Sequence, residues 1–150
     1  MIGNLALATL MVGLTVIIHF SGLLALMWVL RARGHRFRAH ESAVGQGAAI
    51  VFVVLGLVAI HTIEIWLYGV VYLSLGALPD FESALYFSTT SFTTIGYGDV
   101  VLERSWRLFG AVEGANGLLL FGWSTAFLIA VTARMRILEH DWLERPDPRR

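Results

Sequence analysis

Residues 79–99 read PDFESALYFSTTSFTTIGYGD, and the two halves of that stretch ask for different backbones. Pro79 and Asp80 mark a helix start, with Asp80 as N-cap and Glu82 in the first turn, where the helix dipole favours an acid. No helix breaker follows before Phe92, so a helix is expected over 81–92. Ten to twelve helical residues rise about 18 Å at most, too little for a hydrocarbon core about 30 Å thick. The string Thr93-Thr94-Ile95-Gly96-Tyr97-Gly98-Asp99 then places glycines at alternate positions, a composition for irregular backbone rather than helix. The whole segment is too apolar for a solvated loop. It reads as a re-entrant helix and return strand, whose non-helical backbone must be buried or line a water-filled path.

The flanks give that reading its setting. Residues 1–30, 42–63 and 114–133 contain no Asp, Glu, Lys or Arg, so each is long enough to span a bilayer. The second stretch extends to 45–73 if Glu64 is tolerated, and the third runs 105–135 if Arg107 and Glu113 are. The first reads as a retained helix rather than a signal peptide, because no positive charge precedes it and its apolar run is long. Composition agrees: 57% of the 150 residues are hydrophobic, 15% are charged, and mean hydropathy is +0.70. A soluble domain carries about a quarter charged residues. Net charge zero removes the basic footprint of a nucleic-acid binder, and the absence of cysteine excludes thiolate metal sites and disulfides.

Arginines set the expected orientation. Arg31, Arg33, Arg36 and Arg38 follow the first span, and Arg134, Arg136, Arg145, Arg149 and Arg150 follow the third. Placing both clusters on the cytoplasmic side puts the N-terminus and the 74–104 connection outside and the C-terminus inside. The chain then divides into an N-terminal helix with its Arg-rich loop (1–44), a module of outer helix, re-entrant helix, return strand and inner helix (45–135), and a short tail (136–150) in which Pro146 and Pro148 end any helical extension.

Positive φ at Gly96 and Gly98 lets successive peptide units rotate until their carbonyls face one side. A row of carbonyl oxygens, with the Thr94 hydroxyl at its inner end, suits a weakly hydrated monovalent cation. One strand supplies one side of such a cage, so several copies must meet on an axis.

The string TTIGYGD, preceded by LYFSTTSF and flanked by two spans, resembles the selectivity filter of potassium channels, and the resemblance covers roughly 45–135. It implies an all-α membrane protein assembled as a homotetramer, with potassium as transported ligand, no organic cofactor, and lipid and its own copies as partners. It implies further that the backbone carbonyls of Thr94, Ile95, Gly96 and Tyr97 coordinate K⁺, that Thr93 leads into the filter, and that Gly98 and Asp99 lead out. Thr90 falls where some such channels carry a Glu that pairs with the filter-following Asp, so Asp99 lacks that partner. Gly114 and Gly117 fall where the inner helix often carries a flexible glycine, Gly117 being the preferred hinge and close helix packing the competing role. The first span has no regularly spaced arginines, which argues against voltage sensing of the usual kind.

Glu64 and Glu113 are ionisable residues inside spans and are functional candidates on that ground. They are expected behind the re-entrant helix, either in simple polar packing between helices or as a support that accepts hydrogen bonds from hydroxyls such as Thr89, Thr90 or Ser91. A non-selective cation pore or a channel-like uptake subunit is an alternative, though the intact TTIGYGD string argues against both. A remote alternative is a membrane metalloenzyme in which His61 and Glu64 form an H-x-x-E pair with Glu113 or His140 recruited. Two ligands on one helix do not complete a zinc site. His19, alone on the first span, reads as a residue that caps a local hydrogen bond or lies at a helix interface.

Overall fold

The computed structural model describes residues 2–33 and 43–134. Arg36, Arg38, His35, His40, Arg136, His140, Arg145, Pro146, Pro148, Arg149 and Arg150 lie outside the described residues, as does the tail 136–150. Four helices follow in order: α1 (Ile2–Arg33), α2 (Ala43–Ser74), α3 (Phe81–Phe92) and α4 (Arg107–Arg134). The fold is all-α, and α1, α2 and α4 are each long and apolar enough to cross a membrane.

Local chemistry places the helix ends. α2 stops where Gly76 takes φ +63°, with Gly76 N–H donating to the Leu73 carbonyl and Ala77 N–H to the Tyr72 carbonyl, both at 3.0 Å. That pair of bonds satisfies carbonyls left open by the helix end. α3 starts on Asp80, whose carboxylate accepts from Ser83 N–H and from the Ser83 hydroxyl, both at 2.8 Å. These donors hold the Asp80 carboxyl below its ordinary range. α4 begins at Arg107, two residues later than expected, because 104–106 form a turn closed by Trp106 N–H on the Glu103 carbonyl at 2.9 Å.

α3 lies against both α2 and α4, and α1 packs along α2 and α4 of its own chain. One core joins Tyr68, Tyr72, Ala84, Phe92, Leu102, Phe109 and Leu120 with Ala8 and Met11 of α1. A second, built from Leu23, Leu26, Val53, Leu57 and Ile60, zips α1 to α2. Ala84, Ser88 and Phe92 are buried at intervals of four along α3, which fixes the face that this short helix turns inward. Polar ties cross the same seams: Asn116 Nδ2 of α4 donates to Thr15 Oγ1 of α1 at 2.8 Å and to the Tyr68 hydroxyl of α2 at 3.3 Å.

Candidate functional site

The segment 93–99 emerges from the buried end of α3. Phe92 is fully buried, and Thr93 caps the helix through its N–H to the Thr89 carbonyl at 3.1 Å, its hydroxyl donating to the same carbonyl at 2.6 Å. The strand is stitched back onto the helix it leaves. Thr94 N–H donates to the Ser91 carbonyl and Gly96 N–H to the Thr90 carbonyl, each at 3.0 Å. Thr90 itself is buried, with its hydroxyl bonded to the Phe87 carbonyl at 3.1 Å.

φ is +60° at Thr94, +53° at Gly96 and +78° at Gly98, while Ile95 and Tyr97 keep negative φ. Two of these positions carry glycine, for which a positive φ is nearly free. The third does not. A β-branched residue at positive φ is strained, so the Thr94 backbone is held there by its neighbours' hydrogen bonds. The sign of φ alternates along 94–98, the condition for successive carbonyls to be turned towards one side. Ile95 and Tyr97 are 52% and 71% exposed, so the strand forms an open edge of the single chain.

Beyond the strand, Asp99 finds a partner that the sequence did not announce: the Tyr86 hydroxyl donates to its carboxylate at 2.7 Å. This bond holds the Asp99 carboxyl below its ordinary range. Tyr86 sits one helical turn before Thr90, so it closes the gap left by the missing Glu.

The two buried carboxylates part company. Glu113 of α4 accepts from the Ser88 hydroxyl at 2.6 Å and from the Tyr72 hydroxyl at 2.5 Å, tying α4 to α3 and α2. Its α3 partner is Ser88 rather than the expected Thr89, Thr90 or Ser91. Thr89 faces outward and bonds its own Leu85 carbonyl at 2.7 Å, whereas Ser88 lies on the buried 84–88–92 face. Glu64 does not reach α3. Its carboxylate lies between His19 Nδ1 at 3.1 Å and His61 Nδ1 at 2.9 Å, deep among α1, α2 and α4.

Gly117 and Gly114 back the end of α3. A Cβ on Gly117 would overlap the Phe92 carbonyl oxygen and stand 3.0 Å from the Phe92 Cα, and one on Gly114 would meet the Ser91 carbonyl at 3.2 Å. α4 runs unbroken through both. Close approach of two backbones accounts for glycine at 117.

A family model described as ion channel matches residues 60–134, half of the chain. The chain belongs to this ion channel family. No curated protein and no solved structure gave a match. The channel is a multi-pass membrane protein and not an enzyme, which sets aside the metalloenzyme reading of His61 and Glu64. Within the channel the match opens near the middle of α2 and closes with α4, so it takes in α3, the strand and Glu113 and leaves α1 outside.

Proposed function

We propose that the channel conducts K⁺ selectively and passively through a homotetramer in which the backbone carbonyls of Thr94, Ile95, Gly96 and Tyr97 form the filter. The alternation of φ at 94, 96 and 98 carries the reading. Carbonyl dipoles brought to one side replace the hydration shell of a monovalent ion, and the Thr94 hydroxyl adds an oxygen at the inner end. Thr93 and Asp99 bracket this row, through Thr89 and Tyr86 respectively. The strand's exposed edge needs three further copies to complete the cage, because backbone left open at membrane depth costs several kcal/mol for each unsatisfied group. α3 directs its C-terminal end, with partial negative charge, towards the cavity where a cation waits. The N-terminus faces outward and the C-terminus lies in the cytoplasm, following the arginines. Gly98 supplies the outer turn of the filter, while Gly114 and Gly117 let α4 stand close behind it.

Purified channel in liposomes under a K⁺ gradient and then a Na⁺ gradient tests the proposal. Flux for K⁺ at least tenfold that for Na⁺ is expected, a difference of about 1.4 kcal/mol in barrier. Equal flux would replace it with a non-selective pore, and cross-linking that stops at dimers would remove the single-axis cage.

A further inference from the structure

Three of the four buried His and Glu side chains of the described residues meet at one point. His19 comes from α1, His61 and Glu64 from α2, and their ligand atoms all lie within 4.8 Å of one another. Both imidazoles turn Nδ1 to the Glu64 carboxylate, and both turn Nε2 to a single hydroxyl, that of Ser124 on α4, at 2.9 Å for His61 and 3.4 Å for His19. Aromatic rings wall the group: Phe121 stacks on His61 with centroids 4.2 Å apart, Phe92 meets His61 edge-on at 5.9 Å, and Trp123 tilts over His19 at 5.4 Å.

We propose that His19, His61 and Glu64 form a transition-metal site of the zinc(II) class, with Ser124 orienting both imidazoles, that clamps the N-terminal helix to the rest of the channel.

Proton counting calls for one further positive charge in this ring, which either a proton or a metal ion supplies. Four polar contacts close the ring from Glu64 through each histidine to Ser124. One N–H from each imidazole and the O–H of Ser124 give three hydrogens for four contacts, so one contact is left without a hydrogen unless a further proton or a metal ion is bound. A metal ion removes the shortfall. It takes the two Nδ1 lone pairs and the carboxylate, while both Nε2–H groups donate to the two lone pairs of Ser124 Oγ. The Ser124 hydrogen is then free for a carbonyl one turn back, the habit of hydroxyls in helices. A ligating histidine whose other N–H is held by an oxygen is the usual second layer of such sites, and a dry aromatic wall the usual third.

The lengths agree as well. Zinc bonds of about 2.0–2.2 Å in tetrahedral array set ligand atoms about 3.3 Å apart, and the Nδ1-to-carboxylate separations are 2.9 and 3.1 Å. A few tenths of an ångström of opening at these two contacts, with the ligand-atom spread of 4.8 Å drawn in, admits the ion. Two imidazoles and one carboxylate suit zinc, with a water completing the fourth position. One ligand comes from α1 and two from α2, so the ion couples the helix that the family match omits to the one in which it begins.

The test uses the full channel, stripped with a chelator, dialysed against ZnCl₂ or CoCl₂ and assayed for bound metal by mass spectrometry. One zinc per chain is expected, and cobalt should give the visible absorption of a four-coordinate site. His19→Gln and Glu64→Gln should each lose the bound zinc, and Ser124→Ala should weaken affinity about 10–100-fold. Zinc should also raise the melting temperature of the unsubstituted channel over that with chelator. Substoichiometric zinc on folded unsubstituted channel, or zinc held equally by folded His19→Gln, would overturn the proposal and leave a hydrogen-bonded ring. Metal content is read without conduction, so its outcome is separate from that of ion selectivity.

Discussion

The 93–99 strand and the His19–Glu64 cluster are both polar islands in an apolar channel, and they are built in opposite ways. The strand uses backbone: between 93 and 98 it has no charged side chain, its conformation is set by alternating φ, and it forms an exposed edge of the chain. The cluster uses buried side chains, drawn from three helices and separated by as many as 105 positions in sequence. Open backbone polarity calls for further surface to enclose it, supplied in the proposed assembly by more copies of the chain. Enclosed side-chain polarity is complete within one chain, or complete once an ion enters it. The difference teaches where charge can be kept in such a protein. Carbonyls can face a moving ion without a permanent charge, whereas an acid in a span must be paired on every side.

Phe92 is the joint between the two regions, since it precedes the strand, touches His61 and stands against Gly117. Gly117→Ala therefore breaks the comparison by disturbing both at once. Its Cβ meets backbone, which cannot rotate away, so the cost should reach the upper part of the 1–3 kcal/mol range for overpacking. A fall in melting temperature together with loss of ion flux is expected. Unchanged flux would show that the two regions are mechanically separate.

Glu113→Leu sharpens the comparison by acting behind α3 alone. The Tyr72 hydroxyl loses its acceptor, which costs about 1–3 kcal/mol, while the Ser88 hydroxyl keeps the Ile65 carbonyl at 2.9 Å. Chemical denaturation should report that loss with the His19–Glu64 contacts intact, as read by metal content or by histidine NMR. A change at the histidines would join Glu113 to their cluster.

The smallest effect is expected at the outer end of the strand. The Tyr86 hydroxyl holds the Asp99 carboxyl below the ordinary range, so the stabilisation is present above the unfolded carboxylate value near about 3.9 and is lost as pH falls through the lower folded value. Tyr86→Phe should move the Asp99 titration up towards about 3.9, as followed by carbon NMR, with little change in melting temperature. A titration that stays low would place another donor on Asp99.

Legibility in the sequence followed the range of the interaction. The helix 81–92 and its cap could be read because Asp80 and Ser83 are neighbours on the chain, and the glycines at 96 and 98 because the φ they allow is a local property. Thr94 escaped because nothing in a threonine advertises positive φ; the bonds that Thr94 N–H and Gly96 N–H donate to the Ser91 and Thr90 carbonyls hold it there. Ser88 was legible in principle, since Ala84, Ser88 and Phe92 repeat every fourth residue, but the neighbouring hydroxyls of Thr89, Thr90 and Ser91 gave the same chemical signal. Tyr86 as partner of Asp99 depended on how the strand turns back along α3.

By itself, the sequence determined three apolar helices, a capped fourth too short to span, and a strand whose glycines permit carbonyls to line up, because each of these depends on residues within a few positions of one another. Only the tertiary structure decided that Glu113 and Glu64 have different partners and that Gly117 is a point of contact. It alone brought His19 to His61 and Glu64. Long apolar helices look alike from every side in sequence, and which faces meet is settled by how all of them pack at once.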